Sequence, residues 1–214
     1  ALLSGASSDE RIITVEDAPE IFSPAVHLEK LITRPERGDG TGGVSLVDLM
    51  NVAIQRAPHR IVLGQIVEEE SRLFLKALEA GFTGSVATIH ADSVVDGLWK
   101  FLDAISAHDK APVESLVRRI SRSVNLVLRM GKVEGRPCLQ ELSEVLPAEN
   151  GQFRILPLVS FSGLQDGKRR WEILTTDSKV MNIISERGLA LRVGPGLSLA
   201  QKPASGSSSD ISSH

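Results

Sequence analysis

Three short apolar or β-branched runs constrain this chain most. They are Arg11-Ile12-Ile13-Thr14-Val15, Ile61-Val62-Leu63-Gly64 and Ser85-Val86-Ala87-Thr88-Ile89. The second is apolar at three successive positions, without the alternation of a one-sided strand. A strand of that kind is buried on both faces, which points to a sheet sandwiched by other layers. Helical periodicity fills the intervening chain. Ser45 with Asp48 three residues on is a helix start of capping-box type, and Leu46, Leu49, Met50, Ala53 and Ile54 make the apolar face behind it. Glu68 to Ala80 repeats the pattern, with Leu73, Phe74, Ala77 and Leu78 inward, three glutamates at its amino end and Gly81 as its stop. Ser93 with Asp96 opens a third helix to about Ala107, and Val113, Leu116, Val117 and Ile120 mark a fourth. Strand and helix in alternation predict an α/β fold with a mainly parallel sheet.

Two stretches bracket this core. His27 to Thr33 alternates apolar and polar, as a half-buried strand does, and runs into the glycine-rich loop Arg34 to Gly43. From Val124 the pattern becomes strand-like at 124–129, 137–146 and 153–159, with turns such as Glu149-Asn150-Gly151, which predicts an antiparallel meander. Lys168 to Leu174 adds a strand, and Asp177 to Arg187 a helix closed by Gly188. The resulting expectation is a core over 1–157, a small strand–helix module over 158–193 and a disordered serine-rich tail over 194–214. Ala1 to Ala6 reads as the last turn of a helix ending at Gly5, so further chain is expected before it.

Composition narrows the function classes. One cysteine in 214 residues, Cys138, excludes a disulfide scaffold and is read as packing. A net charge of −3 gives no global basic field for nucleic acid or anionic membrane. No run reaches the roughly 20 apolar residues that span a bilayer. Arg118, Arg119 and Arg122 read as a solvated helix edge or a subunit contact, and Lys168-Arg169-Arg170-Trp171 as a basic hairpin edge.

Candidate site residues follow the strands. Open α/β sheets bind ligands at the carboxyl ends of their strands. Glu16-Asp17 ends the first run, Gln65 follows Gly64, and His90 follows Ile89. Singly, each has a bland reading: a solvated turn, an ordinary polar residue, a structural hydrogen-bonder.

Together they resemble a known family. Arg11 to Glu20 is similar to the acidic box of secretion ATPases. Arg60-Ile61-Val62-Leu63-Gly64-Gln65-Ile66 resembles their Walker B strand, and Gly81 to Ser93 their His box. His27 to Pro35 and Ser121 to Leu128 match as well. The resemblance runs from about Arg11 to Leu191 and is greatest to the Tad/Flp pilus branch of the type II/type IV secretion ATPases. It implies a RecA-like P-loop NTPase core, truncated at its amino end, that assembles into a homo- or hetero-hexamer at the cytoplasmic face of a bacterial inner membrane. ATP with Mg²⁺ would lie between subunits, and platform proteins of the secretion or pilus machinery would be its partners. No nucleic acid and no protein-held metal site are expected. By the same resemblance Glu16, Gln65 and His90 stand at the catalytic positions, and Asp17, Arg34, Arg37 and Arg56 at nucleotide-facing ones.

Three departures weaken the expected chemistry. No Gly-x-x-x-x-Gly-Lys-Ser/Thr loop occurs in these 214 residues. That loop cradles phosphates with its N–H groups and supplies a lysine. It would lie about one helix upstream of Ala1. The family's Walker B glutamate is Gln65, which neither accepts a proton nor brings negative charge. Its arginine two positions on is Val67, and the arginine before Pro58 is Gln55, with Arg56 adjacent. Impaired hydrolysis is the expectation. A non-hydrolysing subunit that joins an intact paralogue, and a conjugation motor, are the alternatives.

Overall fold

The computed structural model describes residues 2–186 and 196–199. Its elements are β1 (Arg11–Glu16), β2 (His27–Ile32), α1 (Leu46–Gln55), β3 (Arg60–Leu63), α2 (Glu70–Glu79), β4 (Val86–Ala87), α3 (Val94–Ser106), α4 (Val113–Ser123), β5 (Leu126–Val133), β6 (Arg136–Glu149), β7 (Gln152–Gln165), β8 (Lys168–Ile173), α5 (Lys179–Glu186) and β9 (Leu197–Leu199). A single 3-10 turn, Leu2–Gly5, stands where a helix end is expected. The chain divides into two compact units. One runs through Val127 and takes in Val145–Ile155; the other comprises Leu128–Glu144 and the described residues from Leu156 on.

In the first unit β2-β1-β3-β4 form a wholly parallel sheet. The crossovers β2 to β3 and β3 to β4 advance in the same direction across it. Right-handed connections therefore place α1 and α2 on one face. The shared core agrees. Ile13, Val15, Ile61 and Leu63 pack with Met50 and Ala53 of α1, Phe74 and Ala77 of α2, Phe101 and Ile105 of α3, and Leu116 and Ile120 of α4. These strand residues are of one parity, as the two-residue period of a strand requires. The other parity of β1, Ile12, Thr14 and Glu16, is also buried. The double burial expected of the Ile61–Gly64 run is thus observed at β3, and β1 shows it as well.

Local signals fix the helix ends. Ser45 Oγ accepts the Asp48 N–H at 3.2 Å, and the Asp48 carboxylate accepts the Ser45 N–H at 2.9 Å, a complete capping box. The Ser45 N–H and hydroxyl hold the Asp48 carboxyl below the usual carboxylate range. A lowered folded-state pKa stabilises above the ordinary carboxylate value, and that contribution is lost as pH falls through the folded value. Ser45→Ala is expected to cost about 1 kcal/mol and to lower the thermal midpoint by about 2–4 °C. Thermal denaturation at neutral pH reads this, and an unchanged midpoint would mean the cap carries no stability. Gly81 at the end of α2 has φ +96°, the left-handed conformation of a helix stop.

Several expectations are refined. Ser85 to Ile89 pairs as a strand at Val86–Ala87, because the β3 chain bends at Gly64; beyond it the Ile66 N–H to Thr88 carbonyl bond, 2.8 Å, is the backbone bond among the described residues that continues alongside. The basic edge on α4 is partly neutralised: Arg119 holds Glu79 through bonds of 2.7 and 2.9 Å and Asp109 at 3.1 Å, and these carboxylates raise its pKa. Phe153 of β7 meets Trp99 of α3 edge-on at 5.0 Å, so part of the predicted meander finishes the helical core.

The second sheet has the order β5-β6-β7-β8-β9. Glu134-Gly135, Asn150-Gly151 and Asp166-Gly167 turn the chain between β5 and β8, each pair with both φ angles positive, the pattern of two-residue hairpin turns. Lys168 to Trp171, expected at a hairpin edge, lies in β8, which is an interior strand with β7 antiparallel on one side and β9 parallel on the other. Within the stretch expected as tail, Leu197 and Leu199 alternate about Ser198 and form β9. Gly188 and the tail residues other than 196–199 lie outside the described residues.

Candidate functional site

Parallel register puts one row of polar groups at the carboxyl edge of the first sheet. Glu16 lies opposite Ile32, and Val15 opposite Leu63, so Glu16 and Gly64 are neighbours. A Cβ on Gly64 would stand 3.6 Å from the Glu16 Cα. Leu63 lies opposite Ala87, which brings Thr88 beside Gly64, where the Thr88 hydroxyl donates to the Gly64 carbonyl. On the other side the Thr33 hydroxyl donates to Asp17 Oδ1 at 3.1 Å. Thr33, Asp17, Glu16, Gly64 and Thr88 thus run side by side, with Gln65 and His90 one and two residues further along their chains. The strand order reverses direction at β1, so this row sits at the switch point, where open α/β sheets form their ligand crevice.

Glu16 is 2% exposed and both of its carboxylate oxygens are engaged. Oε1 accepts the Thr14 hydroxyl at 2.7 Å, a neighbour two residues back on the same strand face. Oε2 accepts the Glu20 and Ile21 N–H groups at 2.8 and 2.7 Å. Lys30 of β2 donates to the Ile21 carbonyl at 2.6 Å and lies 4.8 Å from the Phe22 ring centroid. The acidic-box loop is therefore folded onto Glu16 from inside. Asp17, one residue on, is exposed, and among the described residues its Oδ1 alone is bonded, to the Thr33 hydroxyl.

Gln65 and His90 are exposed. The His90 carbonyl accepts Lys100 Nζ at 3.3 Å, which anchors the His-box backbone to α3. Arg34 follows β2 at the same edge. Its Nε donates to the Gly42 carbonyl at 2.6 Å, and its backbone pairs with Val44, so the glycine-rich loop closes on itself. Arg37 belongs to that loop, where its N–H donates to Thr41 at 2.9 Å. Arg56 is not brought to the row. It caps α1 at the opposite edge, pairs with Glu29, and its carbonyl accepts the side chain of Arg11, the first residue of β1.

Glu70 escapes a sequence reading. It is 3% exposed, and its Oε1 accepts the Val67 and Glu68 N–H groups at 2.6 and 2.7 Å, fixing the turn that follows Gln65. The run Glu68-Glu69-Glu70 suggests a dipole effect, but nothing in it says which carboxylate is buried. Thr33 and Thr88, each just after a strand, carried no signal beyond that position.

These donors fit one side of a magnesium nucleotide. Asp17 offers an open carboxylate oxygen to an ion's water shell, and Gln65 and Thr88 offer neutral hydrogen bonds. They do not fit its phosphates: no glycine loop with a lysine occurs in the chain, and Arg34 Nε is spent on Gly42. Among the described residues no cluster of three His, Cys, Asp or Glu side chains could hold a metal ion by itself.

An acidic pair and a glycine turn at the carboxyl edge of a wholly parallel sheet, with helices packed against it, are the architecture of a RecA-like α/β fold. The chain belongs to the type II/IV secretion system protein family, whose model matches residues 1–187. A Mycobacterium tuberculosis (strain ATCC 25618 / H37Rv) protein named for conjugal transfer is 33% identical over 152 residues, covering 70% of this chain and 42% of its own. The protein VirB11 of Rhizobium radiobacter is 28% identical over 130 residues, 59% of this chain and 38% of that one. The chain thus spans about two fifths of these relatives' length. The crystal structure of the VirB11 ATPase of the Brucella suis type IV secretion system, in complex with sulphate, superposes with a TM-score of 0.55 at 22% identity. It covers 64% of this chain and 41% of that one, a likeness of fold.

Proposed function

We propose that this chain is the carboxyl-side part of the motor domain of a secretion or pilus-assembly ATPase of the Tad/Flp type, impaired in hydrolysis as it stands. The observation that carries the reading is the row Thr33–Asp17–Glu16–Gly64–Thr88 at the switch point of the sheet. Glu16, Gln65 and His90 occupy the catalytic positions, Glu16 by shaping the loop that presents Asp17. Arg34 and Arg37 stand at the same edge; with Arg34 Nε held by the Gly42 carbonyl, its two terminal nitrogens and Arg37 would face a phosphate held by a neighbouring subunit. Arg56, at the far edge, would act only across a subunit boundary. ATP with Mg²⁺ is the ligand, a homo- or hetero-hexamer the assembly, and platform proteins at the cytoplasmic face of a bacterial inner membrane the partners. Among the described residues no helix is long and apolar enough to cross a membrane.

Mixing with an intact family member that carries the phosphate loop tests the assembly. Mixed rings are expected by native mass spectrometry, without added ATP turnover. A chain that stays monomeric in every mixture would sink the ring reading. A second reading, a conjugative-transfer motor, is favoured by the name of the mycobacterial relative. Tight DNA binding that weakens steeply with salt would support it; the net charge of −3 supplies no field for that.

A further inference from the structure

We infer that the second unit carries an oxyanion pocket centred on Arg170, independent of the nucleotide edge. Arg170 lies in the middle of β8, and both of its cross-strand neighbours are glycines. Gly163 of β7 is paired with it directly, and Gly196 precedes Leu197, the partner of Trp171. A trough of about 240 Å³ opens where those two side chains are missing, lined also by Ser162, Gln165 and Ser198.

The backbone keeps the trough open. Gly163 has φ +123° and follows a register shift that leaves Ser162 as the extra residue of the β7 strand. Gly196 has φ +111°, and a Cβ there would stand 2.8 Å from the Arg169 carbonyl. Any other residue at either position is strained, and at Gly196 it also collides. The Gly196 carbonyl accepts the Trp171 N–H at 2.7 Å, which locks β9 beside the arginine.

Arg170 lines this trough with one of its donors unpaired. Its Nε is buried and has no hydrogen-bond partner among the described residues. Neighbouring Arg169 points its head to the Pro137 and Val133 carbonyls instead. Glu172 shares the Arg170 face of the strand, two residues on, yet no ion pair joins them among the described residues. A buried N–H without an acceptor costs about 1–3 kcal/mol, so the site favours a group that brings acceptors. A forked guanidinium in a trough lined by two serines and a glutamine, with the Ser198 hydroxyl donating to the Trp171 carbonyl at 3.5 Å, matches a tetrahedral oxyanion of the phosphate class.

Titration of the whole chain with inorganic phosphate, against sodium chloride at matched ionic strength, tests the pocket. The NMR signal of Arg170 Nε–Hε should move saturably with phosphate and stay still with chloride. By calorimetry Arg170→Gln should weaken phosphate binding at least about tenfold, Arg170→Lys should weaken it less, and Arg118→Gln should leave it unchanged. Glycerol 3-phosphate bound as tightly as phosphate assigns the site to a phosphomonoester; its exclusion assigns it to free phosphate. Equal shifts with chloride, or binding that survives Arg170→Gln in a chain with unchanged amide spectrum, overturn the inference. So does a shift of the same size produced by Glu172→Gln alone, which would show the arginine already paired in solution.

Discussion

Glu16→Ala is expected to lower the stability of the chain by about 2–4 kcal/mol, a fall of about 5–15 °C in thermal midpoint for a domain of this size. The substitution orphans three donors at once: the Thr14 hydroxyl, fully buried, and the Glu20 and Ile21 N–H groups. Bonds to an ionised acceptor are the stronger kind, and a carboxylate is the one side chain here that accepts all three. Part of the loss is offset, because alanine removes a buried charge with its desolvation cost and because the exposed Glu20 amide can turn to water. Glu16→Gln should lie between wild type and alanine. Its carbonyl can take the two N–H groups while its amide donates to Thr14 Oγ, with loss of charge assistance alone. Urea unfolding gives the order, and hydrogen exchange at Glu20 and Ile21 locates it. If alanine and glutamine variants unfold with the wild type and exchange there is unchanged, Glu16 is no clamp, and its role is confined to whatever it touches in a bound complex.

How much of this was legible in the sequence divides along physical lines. The parallel sheet was legible, because Ile61-Val62-Leu63 without alternation admits few environments. So was α1, because Ser45 and Asp48 state its first turn. Those signals are local, and local geometry honours them. What failed to show depended on contacts distant in sequence. Ser85 to Ile89 has strand composition throughout, but its pairing ends where β3 stops offering partners. Arg170 reads as part of a basic edge until Gly163 and Gly196 close in from both sides. Glu16 and Asp17 are equivalent as letters. The alternation of strand faces decides that the first points inward to Thr14 and the second stays in solvent.

The second large effect concerns turnover. Incubated with ATP and Mg²⁺, this chain by itself is expected to release no more phosphate than its Glu16→Ala variant. Two deficits combine. The chain has no loop to hold the phosphates, and phosphoryl transfer is chiefly positioning and charge neutralisation. On the proposed reading, Gln65 also stands where a carboxylate would accept a proton. Gln65→Glu alone should therefore restore nothing, since a base has no work without a positioned nucleotide. Joined in frame behind the phosphate-loop segment of an intact relative, the wild-type chain should remain slow, and Gln65→Glu in that chimaera should raise kcat by about 10²–10⁴. Val67→Arg added to it tests whether the missing arginine costs more. The two deficits separate in this design: turnover by the isolated chain would refute the need for the loop, and a fast chimaera that retains Gln65 would refute the need for the carboxylate. Because Gln65 follows Gly64, whose N–H is held by the Val15 carbonyl at 2.9 Å beside Glu16, the restored carboxylate enters a backbone already fixed, so the gain should appear in kcat and leave the midpoint of unfolding unmoved.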